Sequence, residues 1–311
     1  MCMAITGTGT EQDPFIVHSY DELKYACEQH GNTYEKFYTK LANDIDCNDY
    51  GEDWEWETIT LGSNASGANK NNCVDLDGHT IKNVYIKNNN GLFTSHSTAA
   101  GDLKNGKILN VFGNSPAKIL TKVSVENISM SMQLGSPSAT PFDSNIIKNS
   151  AFYIIITNAN NRTIFNCVSG GIKNIDLYIE LYNCNNNTRI FHGGSHSNAD
   201  LDSIRAIGAM KIPVGSETPA PTDGIWTYGK ATNSVFDIDM TDFNYAGISV
   251  TSKGLFGSAG DNTTVINWGK VPHESSGDYT ATGYLKATST EEMKIGADLR
   301  SLGFMVVNVE E

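Results

Sequence analysis

Three carboxylates could do acid–base chemistry in this sequence, because each alternates with apolar residues in an extended segment. Asp237 and Asp239 are two positions apart, so in a strand they lie on one face, about 6.7 Å apart. Glu180 occupies the same kind of position in an earlier segment. Carboxyl groups about 6.5 to 9.5 Å apart suit an inverting glycosidase, in which one protonates the leaving group and the other activates water. These three are the candidate catalytic residues. The simpler alternative is that exposed strand faces of an acidic protein carry carboxylates anyway.

The same segments also predict a binding surface, since aromatic rings and hydrogen-bonding groups together are typical of carbohydrate sites. The candidate residues for binding a glycan or a partner are Asp176, Tyr178, Glu180, Tyr182, Arg205, Trp226, Asp237 and Asp239. Trp226 could equally face inward. Trp54 and Trp56 are expected to pack beneath a cap rather than bind sugar.

Metal ligation is not expected. His192 and His196 have HxxxH spacing, but the two glycines between them predict a loop rather than the helix that would bring both rings onto one ion. Asp75 and Asp77, with Asn43-Asp44, lack a calcium-loop pattern and read better as corner residues. We therefore predict neither a metal nor a cofactor.

The elements that must position these residues are repeated strands broken at a polar corner. From Ile175 to Leu181 apolar and polar residues alternate strictly, which predicts a strand with one apolar face. The phase breaks at Asn174, since Ile172 and Ile175 can both point inward only if the chain turns there. Asn tolerates the left-handed conformation that such a corner needs. Similar corners occur at Asn83, Asn110, Asn127, Asn149, Ser203 and Asn233.

Successive corners are 27, 17, 22, 25, 29 and 30 residues apart. Such a period, made of strands and a polar corner, indicates a solenoid of stacked β coils. If the corners are in register, Tyr153, Tyr178, Ile207 and Asp237 share one outward column. Glu180, Ala209 and Asp239 share another.

This pattern resembles the right-handed parallel β-helix of the pectate-lyase-like superfamily, whose corners carry stacked Asn residues. The likeness covers roughly residues 74 to 270. It implies an all-β solenoid but not a function, since that fold carries lyases, hydrolases, adhesins and phage tailspikes. The paired Asp, Gly-His-Gly and Arg-Ile-Lys motifs of pectin hydrolases are absent.

Two segments with the capping-box pattern Ser-x-x-Glu predict a capping helix at each end of the solenoid. Ser19 to Glu22 opens the first helix, and Ser289 to Glu292 opens the second. We predict one continuous domain, with an N-terminal cap and first coil in 1–73, β-helix coils in 74–270 and a C-terminal helix and strand in 271–311.

Composition restricts the partners. The net charge of -13 argues against nucleic acid and against an anionic membrane surface. The sequence contains no run of 18 or more apolar residues, so no membrane span is predicted. The first residues lack a signal-peptide pattern, and the six cysteines lack a disulfide framework. These features predict reduced thiols and folding in a cytosol.

A β-helix that folds in cytosol and presents a long face to glycan or protein is similar to β-helix modules of phage virions. That resemblance implies a structural protein of the virion surface, assembled in host cytoplasm. It would be a capsid decoration or accessory protein, or a tailspike or receptor-binding module. The implied partners are two further copies in a homotrimer, other virion proteins and surface polysaccharide. A polysaccharide-degrading enzyme and a bacterial surface adhesin are the alternatives.

Overall fold

The chain forms a parallel β-solenoid of about six turns, which confirms the predicted all-β fold class. The structure, a computed structural model, describes residues 5–28, 36–62, 71–96, 101–116, 118–184, 188–192, 200–213, 226–227, 230–232, 234–239, 265–267 and 284–285. The chain divides into two compact units. The first contains the residues up to Gln133 and Pro137–Ser150, and the second contains Leu134–Ser136 and the residues from Ala151 onward. The single continuous domain stays a prediction.

Short strands build the first unit. Its elements, with the two strands that continue beyond it, are β1 (Phe15–Val17), α1 (Tyr20–Glu28), β2 (Lys36–Leu41), β3 (Ile45–Asp46), a 3-10 helix (Cys47–Tyr50), β4 (Ile59–Gly62), β5 (Asn71–Asp75), β6 (Thr80–Tyr85), β7 (Phe93–Ser95), β8 (Gly101–Gly113), β9 (Leu120–Thr121), β10 (Ser124–Leu134) and β11 (Phe142–Ile156). Parallel pairing runs along three stacks: β1, β2, β5 and β8; β3, β6 and β8; and β4, β7, β9 and β11. Each step along a stack is one turn of the solenoid.

The second unit repeats this plan with longer strands. Its elements are β12 (Thr163–Leu181), β13 (Arg189–His192), β14 (Asp200–Met210), β15 (Trp226–Thr227), β16 (Lys230–Thr232), β17 (Ser234–Asp239), β18 (Val265–Asn267) and β19 (Tyr284–Leu285). One parallel stack runs β12, β13, β15, and another runs β12, β14, β17, β18, β19. Long strands are possible because a corner bends the backbone without ending the ladder.

Apolar side chains fill the interior of each unit turn by turn. In the first unit, Ile81 pairs with Ile108 and Val84 with Val111, and all four are buried. In the second unit, the ring of Phe165 stacks on that of Phe191, with centroids 5.1 Å apart. Parallel in-register pairing places like residues above one another, so the repeat in the sequence becomes a continuous core.

Left-handed residues make the corners, as the sequence predicts. Positive φ angles occur at Asn83 (56°), Asn110 (55°), Asn127 (55°), Asn174 (51°) and Ser203 (57°). Asn149, with φ of 49°, belongs to the same class. The predicted corner at Asn233 lies outside the described residues.

Two separate amide ladders join the corners of the first unit. In one, Asn110 Nδ2 donates to Asn83 Oδ1 over 3.2 Å, and Asn83 Nδ2 donates to Asp46 Oδ1 over 2.8 Å. In the other, Asn127 Nδ2 donates to Asn105 Oδ1 over 3.0 Å. Asn105 in turn donates to Asp75 over 3.1 Å. Each ladder therefore begins on an aspartate, which can only accept when it is ionised.

The second ladder corrects the predicted register. The corner repeat predicted that Asn127 lies directly above Asn110, but Asn127 stacks on Asn105, 22 residues earlier. The separation of 17 residues between Asn110 and Asn127 mixes two different corners of the coil, because β8 contains a left-handed residue at both Asn105 and Asn110. Asn105 was overlooked although Leu103, Gly106 and Ile108 around it fit the corner pattern.

The first predicted helix is present as α1 with Ser19 as its N-cap, while Glu22 accepts from the residue before the cap. The Glu22 amide donates to Ser19 Oγ over 3.2 Å, and the His18 amide donates to Glu22 Oε2 over 2.7 Å. Leu23 and Cys27 are buried on one face of the helix. Its role as a plug of the first coil stays a prediction. The predicted C-terminal helix lies outside the described residues. Among the residues that are described, no helix is long and apolar enough to cross a membrane.

Trp56 and Trp54 pack as expected. Trp56 is buried, with its ring 4.6 Å from that of Tyr20 at the start of α1, and Trp54 lies edge-on to Tyr20 at 4.7 Å. The four described cysteines that are free thiols are all buried: Cys27, Cys47, Cys73 and Cys184. Burial raises the pKa of the Cys47 thiol to about 12, so this group behaves as a small apolar side chain.

Replacing Asn110 should separate the two reasons for asparagine at a corner. Asn110→Ala loses the ladder hydrogen bond and strains a left-handed backbone, so we expect a loss of about 2 to 3 kcal/mol in the free energy of unfolding. Asn110→Gly keeps the conformation and should cost roughly 1 kcal/mol. Urea denaturation measures both. The exposed turn residue Asn88 is the control, and Asn88→Ala should stay within about 0.5 kcal/mol. Equal losses for the two Asn110 variants would contradict a conformational role.

Candidate functional site

Strands β12, β14 and β17 align the predicted columns. Tyr178 pairs with Ile207, which pairs with Asp237. Glu180 pairs with Ala209, and Ala209 with Asp239. The backbone register predicted for this part of the chain is therefore confirmed. It follows from the corners, since Asn174 and Ser203 interrupt the pairing of β12 and β14 at the same level.

Alternation in β12 separates the core from the candidate surface. Ile175, Leu177, Ile179 and Leu181 are buried, as predicted. Tyr178 and Glu180 lie between them and are half-buried, whereas Tyr182 is 40% exposed. The polar side chains thus emerge on the outer face of the strand because the apolar ones fill the inside.

Glu180 holds two tyrosines at this surface. Tyr178 Oη donates to Glu180 Oε1, and Tyr182 Oη donates to Glu180 Oε2 over 2.7 Å. Residues i and i+2 share one face of a strand, which brings all three side chains together. We call Tyr178, Glu180 and Tyr182 the Glu180 cluster.

Tyr153 supports the cluster from the preceding strand. Its ring is parallel to that of Tyr178, with an angle of 5° between the planes and 4.7 Å between the centroids. Such stacking limits the rotamers of Tyr178 and so aims its hydroxyl at Glu180. Tyr153 was not among the predicted binding residues. A signal existed, because Tyr153 follows Asn149 by four residues, as Tyr178 follows Asn174.

The cluster favours protonated phenols. Burial, together with the hydrogen bond that the Tyr178 hydroxyl donates to the Glu180 carboxylate, raises the pKa of Tyr178 well above its ordinary value of 10.0. The hydrogen bond to Glu180 is also the main reason that the pKa of Tyr182 is raised. Both tyrosines therefore stay protonated throughout the neutral pH range and can donate their hydrogen bonds to Glu180.

Asp176 and Arg205 form an ion pair next to the cluster. Arg205 Nη2 lies 2.5 Å from Asp176 Oδ1, and the two residues face each other across β12 and β14. Asp176 was predicted to be part of an exposed stripe, but only 7% of its side chain is accessible. Asp176 lies between the buried residues Ile175 and Leu177, so the alternation of the strand places its side chain on the outer face. Contact with the guanidinium of the next turn explains the burial, since a charged pair can be covered where a single charge could not.

The remaining predicted residues are located by backbone register. Asp237 and Asp239 flank Ile238, which is buried. Glu180 and Asp239 are two turns apart in one column, which corresponds to roughly 9.6 Å between their backbones. Trp226 pairs with Phe191 on a different stack, so it does not share a strand pair with the Glu180 cluster.

Other polar groups considered for metal binding have partners within the fold. Asp77 forms an ion pair with Lys40, with 2.9 Å between Oδ2 and Nζ, and Asp75 accepts from Asn105. Asp44 Oδ1 accepts from the Thr80 amide over 2.9 Å. His196 lies outside the described residues. In the part of the chain that is described, no three His, Cys, Asp or Glu side chains are grouped for a metal ion.

Comparisons with known proteins bear on the fold alone. No family model matches the sequence, and no curated protein matches it. A solved structure described as "a putative immunoglobulin A1 protease from Bacteroides ovatus" is similar, with a TM-score of 0.52. The two chains are 14% identical, and the alignment covers 85% of this chain and 86% of the other. That protein has a β-helix-type fold, in agreement with the solenoid described above. At this identity the likeness says nothing about activity.

Removing the positive partner of Asp176 should destabilise the second unit. We expect Arg205→Met to lower the free energy of unfolding by about 3 kcal/mol, because a covered carboxylate loses its counter-charge. The double variant with Asp176→Asn should lose less than Arg205→Met alone. Urea denaturation of the single and double variants gives the coupling. The control is Lys173, which is exposed on β12, the strand that contains Asp176. Lys173→Met should change stability by less than about 0.5 kcal/mol. A double variant that is less stable than Arg205→Met would contradict the pairing.

The raised pKa of Tyr178 predicts a loss of stability in alkali. A group whose folded pKa exceeds its unfolded pKa stabilises the fold below the unfolded value, here 10.0, and this stabilisation disappears as the pH rises. Tyr178→Phe should reduce the alkaline loss by a few tenths of a kcal/mol, allowing for partial exposure. Urea denaturation at about pH 8 and about pH 10.5 measures it. Tyr25→Phe, on the exposed side of α1, should leave the loss unchanged. The same loss in Tyr178→Phe as in the unmodified chain would contradict the prediction.

Proposed function

We propose that this chain is a structural recognition protein that binds surface glycan through the outer face of β12. The observation that carries the proposal is the Glu180 cluster, a carboxylate fixed between two phenols on a rigid strand. Carbohydrate sites combine aromatic surface with a few well-placed polar groups, and Tyr182 supplies exposed aromatic surface beside the carboxylate. The rigid solenoid keeps these groups in place before a ligand arrives, which reduces the entropic cost of binding.

Its biological setting, in this proposal, is the surface of a phage virion. The resemblance to β-helix modules of virions supports this setting, as does the charge of -13, which suits exposure to solvent more than contact with nucleic acid. The protein would act as a capsid decoration or accessory protein, or as a tailspike or receptor-binding module. It would assemble as a homotrimer and contact other virion proteins.

Binding is favoured over catalysis by the environment of Glu180. A general acid must hold a proton for the leaving group, whereas each oxygen of Glu180 accepts a hydrogen bond from a tyrosine hydroxyl. Glycoside hydrolysis is the second candidate, because the register aligns Glu180 with Asp239 in one column. At roughly 9.6 Å, their backbone separation is within reach of what an inverting mechanism needs.

A panel of capsule and cell-wall polysaccharides tests the proposal on the purified full chain. We expect at least one glycan to bind, and Tyr182→Ala to weaken that binding about tenfold by removing an exposed ring from the site. Calorimetry or biolayer interferometry gives the dissociation constants. Tyr25→Ala removes a similarly exposed ring from α1 and should leave binding unchanged. Sedimentation of the same sample should give three times the chain mass.

Two results would overturn the proposal. One is the absence of binding to every glycan, and the other is an equal effect of the Tyr25 and Tyr182 substitutions. Release of reducing sugar that is abolished by Asp239→Asn would identify the chain as a hydrolase instead.

A further inference from the structure

We infer that the glycan bound by the Glu180 cluster carries free amino groups, so that its recognised unit is a positively charged amino sugar. This inference rests on the proposed function and names the ligand class of the same site. It follows from which hydrogen-bonding atoms the cluster still offers after its internal bonds are made.

Internal bonding uses both phenolic protons. A tyrosine hydroxyl has one proton to donate and lone pairs that accept. Tyr178 donates its proton to Glu180 Oε1, and Tyr182 donates its proton to Glu180 Oε2. A ligand therefore meets two phenolic oxygens and a carboxylate, all of which can only accept. The Glu180 cluster is an acceptor-only surface.

On the side of β14, neighbouring groups do not change this polarity. The guanidinium of Arg205 faces Asp176, with which it forms an ion pair on the adjoining turn. Across β14, the residues that pair with Tyr178 and Glu180 are Ile207 and Ala209, whose side chains carry no polar atom. The cluster is thus flanked on that side by apolar groups and by a cation that already has a counter-ion.

Ligand groups can be ranked against such a surface. A carboxylate or sulfate on the glycan only accepts, and it would also be repelled by Glu180. A neutral hydroxyl can donate one hydrogen bond by rotation, but it brings no charge. An ammonium group has three protons to donate, no acceptor, and a positive charge opposite to that of Glu180. It satisfies both the hydrogen-bonding and the charge requirement.

Electrostatics beyond the cluster act in the same direction. The chain carries a net charge of -13, so an approaching polycation is attracted and a polyanion is repelled. Tyr182 is 40% exposed, which leaves the cluster open to a polymer lying across the strand. Partial exposure also means that the attraction is screened by salt, which gives a second readout of the charge.

Three matched oligosaccharides test the inference: β-1,4-linked glucosamine, its N-acetylated form and α-1,4-linked galacturonic acid, each as a tetramer. We expect the glucosamine tetramer to bind about tenfold tighter than the N-acetylated tetramer, and the uronate tetramer not to bind. Raising the salt concentration should reduce this preference. Calorimetry on the full chain gives the three affinities under both conditions.

Glu180→Gln removes the charge with little change of shape, so it should abolish the preference for the amino sugar. The control is Glu126→Gln, because Glu126 is exposed on β10 of the same solenoid. If Glu180→Gln fails to fold, as judged by its urea midpoint, Tyr182→Phe provides a second variant. It keeps the charge and exchanges the phenolic oxygen of Tyr182 for a freed Glu180 Oε2, so it should leave the preference for the amino sugar in place.

Equal or tighter binding of the N-acetylated or acidic tetramer would overturn the inference while leaving the proposed glycan-binding function intact. Failure of all three tetramers to bind would also overturn it. In that case the polysaccharide panel decides separately whether the proposed function stands. An unchanged preference in Glu180→Gln would show that another part of the chain recognises the amine.

Discussion

Parallel in-register stacking is the constraint on which the rest of this structure depends. Successive turns stack apolar residues on apolar residues, as Ile81 and Ile108 show, because a polar side chain in the interior must find a partner in place of water, as Asn145 does at the Leu120 carbonyl. Every turn must also change direction at the same level, or the next strands fall out of register. The left-handed asparagines meet the second requirement. Their side-chain amides also connect one turn to the next, so that a single residue type supplies both the bend and a hydrogen bond between turns.

The amide ladders show how polar groups are accommodated at a tightly packed corner. An asparagine can donate to the turn below and accept from the turn above, so a ladder continues until a residue of another type interrupts it. In the first unit, Asp46 and Asp75 are the aspartates at which the two ladders begin. Each also lies near a lysine of a neighbouring turn, Lys82 at 3.3 Å and Lys104 at 3.5 Å. The negative charge at the end of each ladder is thus balanced at the surface, where such pairs cost little to form.

The same stacking creates the candidate site on the outer face. Because the interior of β12 is occupied by aliphatic residues, Tyr178, Glu180 and Tyr182 lie together outside, where their polar atoms bond to one another. The stack of Tyr153 on Tyr178 is the outer counterpart of the stack of Phe165 on Phe191 within. A solenoid therefore gives a surface array the rigidity of a core. Such rigidity would reduce the entropic cost of binding in the site proposed above.

Sequence alone determined the fold class, the inward and outward faces of β12, and the corners at Asn83, Asn110, Asn127, Asn149, Asn174 and Ser203. These features depend on local rules: a period of two along a strand, and the few residue types that adopt a positive φ. The sequence also determined the register of Glu180 with Ala209, because the corners at Asn174 and Ser203 set it.

Tertiary structure decided what depends on contact between turns. Only the ladder of Asn127 on Asn105 shows that two corners of one coil had been merged into one, since spacing along the chain does not tell which corner a residue occupies. Only the approach of Arg205 explains why Asp176 is buried. Gly208 is a further case, because a Cβ at this position would meet the backbone carbonyl of Ile179 on the next strand. The direction of the phenolic protons toward Glu180, which sets the polarity of the site, likewise exists only once side chains are packed in three dimensions.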